Sequence, residues 1–162
     1  MHPLARFLAR FDRGALRLGR VEAFSDGVFA IVVTLLVLEL KVPALADGAS
    51  PRALGHALVE LGPKLLSWLI SFVIVCKFWL NHHHLLAQAR VADYGMIWLN
   101  SLFLMLQSFI PFPTALLGEY PSNPLAASVF GLVMALNTVA FIALRARIER
   151  RLLRPELAAA VD

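Results

Sequence analysis

Charge is what this 162-residue chain has least of: only 16% of its residues are Asp, Glu, Lys or Arg, while 59% are hydrophobic. Soluble globular domains carry about 25% charged residues, so an ordinary water-soluble domain is excluded as the first reading and an integral membrane protein takes its place. Cysteine is scarcer still. Cys76 stands alone inside an apolar run, which rules out an internal disulfide and a cysteine metal cage and leaves a small buried thiol. The formal charge of +4 does not point to nucleic acid either, because the basic residues gather at the two ends of the chain instead of spreading over a polar, aromatic-bearing surface. The start is Arg-rich and no small-residue cleavage site follows the first apolar run, so that run is expected to stay in the protein.

Four stretches are apolar enough for helices that cross a bilayer, at about 23–42, 65–80 or longer, 94–117 and 125–144. The expected fold is therefore all-α, an integral membrane helical bundle with four transmembrane helices and an N-terminal amphipathic interfacial helix. Pro43 closes the first run, Pro63 opens the second, Pro111 and Pro113 disturb the end of the third, and 118–124 is a dense turn signal. Arg6, Arg10, Arg13, Arg17 and Arg20 precede the first span; Arg145, Arg147, Arg150, Arg151 and Arg154 follow the last. An even number of spans puts both clusters on one side, which the positive-inside rule makes cytoplasmic, for a multi-pass protein of the cell (inner or plasma) membrane. Upstream, Leu4, Phe7, Leu8, Phe11 and Leu18 recur at helical spacing beside the arginines. Residues 1–19 are thus expected to lie flat at the headgroups, with 20–154 as the membrane domain and 155–162 as a tail.

The first span, RVEAFSDGVFAIVVTLLVLEL over 20–40, has Arg20, Glu22 and Asp26 at its mouth. On a helix, Phe24, Gly27, Ile31, Thr34, Leu35 and Leu38 share one face. Such a stripe is ordinarily bundle core. Asp26 points away from it and needs either headgroup water or partners on another helix, because an unpaired carboxylate at depth is costly. The second span offers Trp79, Asn81, His82 and His83 at matching depth, so a polar clamp between the two helices is expected. Arg20 lies too far round the helix for an i,i+4 pair with Asp26. Consecutive histidines diverge on a helix and have no acid or cysteine at i±4, so no metal and no cofactor is expected. Near the midplane, the polar residues noted are neutral: Ser71, Asn100, Ser101, Gln107, Ser108, Asn137 and Thr138, read as interhelical hydrogen bonds. Without a coupling ionisable group a proton- or ion-coupled transporter is disfavoured. Without a nucleophile or a second ligand cluster so is an enzyme.

Arg20, Phe24, Ser25 and Asp26 reproduce the R-x-x-x-F-S-D signature of the transmembrane protein 175 family of potassium channels, and FWLNHH at 78–83 resembles that family's second-helix motif. The resemblance implies a potassium-permeable leak channel without a carbonyl filter, assembled as a homotetramer with the first helix of each subunit lining the pore. By position, Ile31, Leu35 and Leu38 match the apolar constriction and Thr34 a pore-facing hydroxyl. Arg20, Ser25, Asp26, Trp79, Asn81, His82 and His83 match a structural polar network that holds the pore helix. The expected partners are potassium ions, membrane lipid and other copies of the chain, with no nucleic acid. The family usually has six helices per repeat where this chain offers four, which bears on peripheral packing and assembly more than on the conduction path. The alternatives are a non-conducting structural membrane subunit and a small proton- or ion-coupled transporter.

Overall fold

The computed structural model describes residues 18–46 and 50–151. The expected interfacial helix lies outside these residues except for Leu18 and Gly19, which are helical in the first element; the tail lies outside them altogether. Six helices run through the described residues: α1 Leu18–Leu38, α2 Pro51–Glu60, α3 Gly62–Gln88, α4 Tyr94–Ser108, α5 Pro111–Glu119 and α6 Pro124–Arg151. By length and composition Leu18–Leu38, Gly62–Gln88, Tyr94–Glu119 and Pro124–Arg150 are long and apolar enough to cross a membrane, so the chain is a multi-pass, all-α membrane protein.

The boundaries follow local chemistry. The first helix stops four residues earlier than hydropathy suggests, because Pro43 bars Val42 from the α region. Its last turn tightens through the bonds from Glu39 N–H to Leu36 O and from Leu40 N–H to Val37 O, and the chain then runs out to Pro43. Ser50 caps α2 by accepting from Ala53 N–H, with Pro51 at the first helical position. Asp93 caps α4 by accepting from Met96 N–H at 2.8 Å. The third span is two helices rather than one. Pro111 and Pro113 have no N–H for the carbonyls of Gln107 and Phe109; those carbonyls instead accept from Ile110 and Phe112, three residues on, at 3.1 and 3.2 Å.

The bundle core is one apolar cluster from all four spans, including Phe29, Val32 and Leu36 of α1, Val75 of α3, Phe103 of α4 and Val133 of α6. Phe103, fully buried, has the rings of Phe29, Phe78, His82 and Phe141 around it at centroid distances of 5.6–6.0 Å. A second cluster, including Leu86, Met96, Leu144 and Ile148, closes the end where α1 begins and α6 finishes. There Arg147 of α6 pairs with the capping carboxylate Asp93.

The neutral polar groups divide between bonds across helices and bonds within one. The hydroxyls of Ser71 and Thr114 meet across α3 and α5 at 2.7 Å, and Asn137 donates from α6 to Leu106 O of α4 at 3.2 Å. Ser108 and Thr138 instead donate to carbonyls of their own helices, the usual recourse of a short hydroxyl side chain. Gln107 is fully buried with neither amide atom partnered among the described residues.

At the opposite end α5 crosses α3 closely, and Lys64 pairs with Glu119 at 2.5 Å. A Cβ on Gly118 would stand 3.0 Å from Lys64 Cα, which is backbone and does not yield without moving a helix. Gly118→Ala is therefore expected to destabilise the bundle by about 1–3 kcal/mol, as overpacking does. Gly131→Ala, where an added Cβ meets nothing within 4 Å, should leave thermal stability in detergent unchanged or raised. Equal melting temperatures for the two variants would contradict the close crossing.

Candidate functional site

The first helix divides its surface three ways. Ser25, Phe29, Val32 and Leu36, spaced by four, three and four residues, turn inward and are at most 2% exposed. Phe24, Ile31, Leu35 and Leu38 lie on another face at 62%, 59%, 41% and 68% exposure. So the stripe that the sequence groups together is not core within one chain. Thr34 is exposed on the same side, and its hydroxyl donates back to its own helix, 3.1 Å from Ala30 O and 2.9 Å from Ile31 O. The third sector carries Asp26.

Two attachments fix the rotation of α1. The exposed one joins Trp79 Nε1–H of α3 to Asp26 Oδ1 at 2.9 Å, with the His83 ring 5.9 Å from the indole. The buried one is a chain of hydrogen bonds through three helices. His82 Nε2 lies 2.7 Å from Asn100 Oδ1; an amide oxygen only accepts, so Nε2 carries the proton. Asn100 Nδ2 donates to Ser25 Oγ at 3.0 Å, and Ser25 Oγ donates to Val21 O at 2.8 Å. All three side chains are 2% exposed or less. The imidazole also stacks on Phe103, at 5.6 Å and 14°.

This arrangement differs from a single clamp around Asp26. Asp26 hydrogen-bonds to Trp79, while His82 reaches α1 through Asn100 and Ser25. Arg20 is exposed and makes no hydrogen bond or ion pair among the described residues. Asn81 turns away from α1 and lines a cavity against α6 with His84, Leu85, Gln88, Phe141 and Arg145. The three histidines take three directions: His82 into the core, His83 toward Trp79, His84 into that cavity.

Two residues weigh more in the structure than their local sequence pattern suggests, one of them, Asn100, in the interhelical hydrogen bond expected of it. Asn100 sits on a buried stripe with the apolar Met96, Phe103 and Leu104, and that placement is the signal that it must answer a polar group on another helix. Lys77 is the exception to the expectation that the polar groups of the spans are neutral. It is an exposed, ionisable residue inside the apolar part of α3.

Comparison with known proteins bears on the same residues. The family model for the endosomal/lysosomal potassium channel TMEM175 matches residues 20–111, from Arg20 through Asn100 to the proline break. A potassium channel of Streptomyces collinus is 45% identical over 130 residues, 78% of this chain and 62% of that protein. One from Chamaesiphon minutus is 46% identical over 125 residues, 75% of this chain and 61% of the other. The human endosomal/lysosomal proton channel TMEM175 is 39% identical over 97 residues, 57% of this chain and 19% of that one. The crystal structure of a lysosomal potassium-selective channel TMEM175 homolog from Chamaesiphon minutus superposes with a TM-score of 0.74 at 42% identity, covering 82% of this chain and 73% of that one. The chain thus spans about three fifths of the length of its bacterial relatives.

The two attachments differ in what their loss leaves behind. Asn100→Leu strands a buried imidazole N–H, while Ser25 loses the N–H it accepts and keeps its bond to Val21 O; the cost is expected to be about 1–3 kcal/mol. Trp79→Phe breaks a bond at an exposed carboxylate that water or headgroups re-satisfy, and should cost under about 1 kcal/mol of folding stability. Thermal unfolding of the two variants in one detergent checks the order. A larger loss for Trp79→Phe would reverse the roles assigned here.

Proposed function

Because the chain belongs to the endosomal/lysosomal potassium channel TMEM175 family, we propose that it is the subunit of a potassium-permeable leak channel in which four copies place α1 around a common axis. One observation carries this reading. The face of α1 bearing Ile31, Leu35 and Leu38 is left uncovered among the described residues, while another side is locked inward through Ser25, Phe29, Val32 and Leu36. A helix so fixed presents its exposed stripe at a definite rotation. In the assembly, rings of Ile31, Leu35 and Leu38 form a hydrophobic constriction that closes by dewetting and passes ions when wide enough to hold water.

Thr34 gives that path its polar element. With its proton directed to its own helix, the hydroxyl oxygen keeps a lone pair for the axis, an arrangement of the sign that suits a cation. Between Phe24 and Leu38 the exposed stripe carries no titratable side chain to relay a proton, and a wetted constriction admits an alkali cation with part of its hydration shell. The bacterial relatives matched over three quarters of this chain are named potassium channels, which supports the same choice. Asp26 and Trp79, Ser25 and His82 act in this account as positioning residues, with Arg20, Asn81 and His83 exposed for contacts beyond the single chain. The permeant ion is the only small partner required, and the positive-inside rule sets both termini in the cytoplasm.

Potassium flux from vesicles reconstituted with the purified chain tests the proposal, with native mass measurement in detergent expected to give a tetramer. A monomer that conducts equally well would overturn the pore around α1. The finer test compares two neighbours on α1. Ile31→Asn should wet the constriction and raise cation flux several-fold with weaker discrimination between ions, because an amide hydrogen-bonds water where a sec-butyl group does not. Val32→Asn puts the same amide into the bundle core, where Val32 is 1% exposed, and should lower the yield of folded protein without a gain in flux. The same response from both variants would return the stripe to ordinary lipid-facing surface.

A further inference from the structure

The outer ridge of α3 changes character along its length. Leu66, Ile70 and Val73 are 59%, 42% and 58% exposed and apolar, as a lipid-facing ridge requires. From there toward the end where α1 begins and α6 finishes, the same ridge reads Lys77, Asn81, His84 and Gln88, at spacings of four, three and four residues, all exposed. Asn81, His84 and Gln88 line a cavity of about 250 Å³ with Leu85 of the same helix and with Phe141 and Arg145 of α6. Lys77 lies one turn deeper, about 6 Å along the axis. Its ammonium has no partner among the described residues, although it sits in the apolar part of a spanning helix.

We propose that this α3–α6 groove holds the headgroup of an anionic phospholipid, with Lys77 and Arg145 on its phosphate and the acyl chains along Leu66, Ile70 and Val73. A charge inside hydrocarbon is retained where it finds a counter-charge or water, and a lysine near the interface reaches headgroup level by extending its stem along the helix. Basic pockets between helices on the positive side of a membrane protein favour anionic headgroups for the same electrostatic reason. The donors fit. Arg145 spends Nε on Glu149 at 2.6 Å and keeps both Nη groups, while Asn81, Gln88 and His84 add N–H donors around the same space. Among the described residues the acid held against this set is Glu149, and its carboxylate is already paired. Leu85 and Phe141 supply apolar wall for the glycerol end of a lipid. A zwitterionic choline headgroup would bring its own cation against Lys77 and Arg145, so a net negative lipid is preferred.

The position of the groove separates a lipid from a neighbouring subunit. At about 100° per residue, the Lys77, Asn81, His84 and Gln88 ridge lies roughly 140° round α3 from Cys76, Trp79 and His83, the side that faces α1 and Asp26. Copies gathered round α1 therefore leave it toward the bilayer. The inference uses the membrane-spanning fold and the basic end of the bundle, and it stands or falls apart from conduction.

The test reads lipid retention, not flux. Purified protein is delipidated, placed in nanodiscs of phosphatidylcholine with phosphatidylglycerol at equal mole fraction, extracted gently and examined by native mass spectrometry. Wild type should retain phosphatidylglycerol at least fivefold over phosphatidylcholine. Lys77→Gln and Arg145→Gln should each cut that preference threefold or more, Lys77→Arg should keep it, and Arg52→Gln, on α2, should not alter it. Equal retention of the two lipids by wild type overturns the proposal, as does an unchanged preference in the Lys77→Gln, Arg145→Gln double variant. Displacement of the lipid by millimolar inorganic phosphate would overturn the lipid in favour of a soluble anion. Dissociation of the oligomer by Lys77→Gln in phosphatidylcholine alone would make Lys77 a subunit contact and overturn it as well. Should Lys77→Gln fail to fold, Arg145→Gln at the exposed end of α6 supplies the same reading.

Discussion

The buried bond between His82 and Asn100 is the constraint on which the placement of the first helix depends. An imidazole enclosed by Phe29 and Phe103 has to hand its N–H to an acceptor, since a buried donor left alone is destabilising. Asn100 accepts it at 2.7 Å, and the amide's own N–H then needs an acceptor in turn, which is Ser25 Oγ. Ser25 in its place discharges its proton into the α1 backbone at Val21 O. Each group is satisfied only if the next is where it is. Rotating α1 by one residue, about 100°, would remove Ser25 from the chain and put Phe24 or Asp26 in its position. With Ser25 inward, helical geometry leaves Phe24, Ile31, Thr34, Leu35 and Leu38 on the outer side without further instruction.

The proline break works at the other end of the bundle in a comparable way. Ending α4 at Ser108 and restarting at Pro111 lets the carbonyls of Gln107 and Phe109 be satisfied over a shorter loop of chain, so neither is orphaned in the apolar layer. The restarted helix then sets Thr114 against Ser71 and Gly118 against the backbone of Lys64. Between the two ends, Phe103 and its neighbouring rings fill the space with side chains that have few rotamers to choose from. The α1 surface is thus defined at both ends and packed between them.

The sequence made some of this legible and not the rest, for physical reasons. Spans are set by long apolar runs, and 65–80 or longer became Gly62–Gln88 because no glycine or proline interrupts the polar continuation past Leu80. Periodicity correctly grouped Phe24, Ile31, Leu35 and Leu38 on one face but said nothing of what stands opposite it; only the packing of Ser25, Phe29, Val32 and Leu36 assigns the other face to the core. Asp26 drew attention as a charge, yet the deeper attachment runs through the neutral Ser25 and Asn100, whose partner 75 residues away no local pattern reveals. Lys77 was lost for the opposite reason. A single lysine barely changes the average hydropathy of a long run, though its charge is the feature that lipid registers.

Exposure of apolar residues means less in a bilayer than in water, because a leucine against lipid tails gives up nothing. The exposed stripe of α1 therefore gains its meaning from what surrounds it. Val37 and Leu38 are as exposed as many side chains on the outer ridges of α3 and α6, and alone they would be unremarked. What distinguishes α1 is that its rotation is held by two attachments of different kinds, one wet at Asp26 and one dry at Ser25, on sectors about 100° apart. Two such ties resist both rolling and sliding of the helix, where one would act as a pivot. A surface needing only lipid has no use for that restraint, whereas the proposed constriction, whose width would be set by how far four isoleucine side chains project toward an axis, depends on it, since a roll of a few tens of degrees would open or occlude the ring.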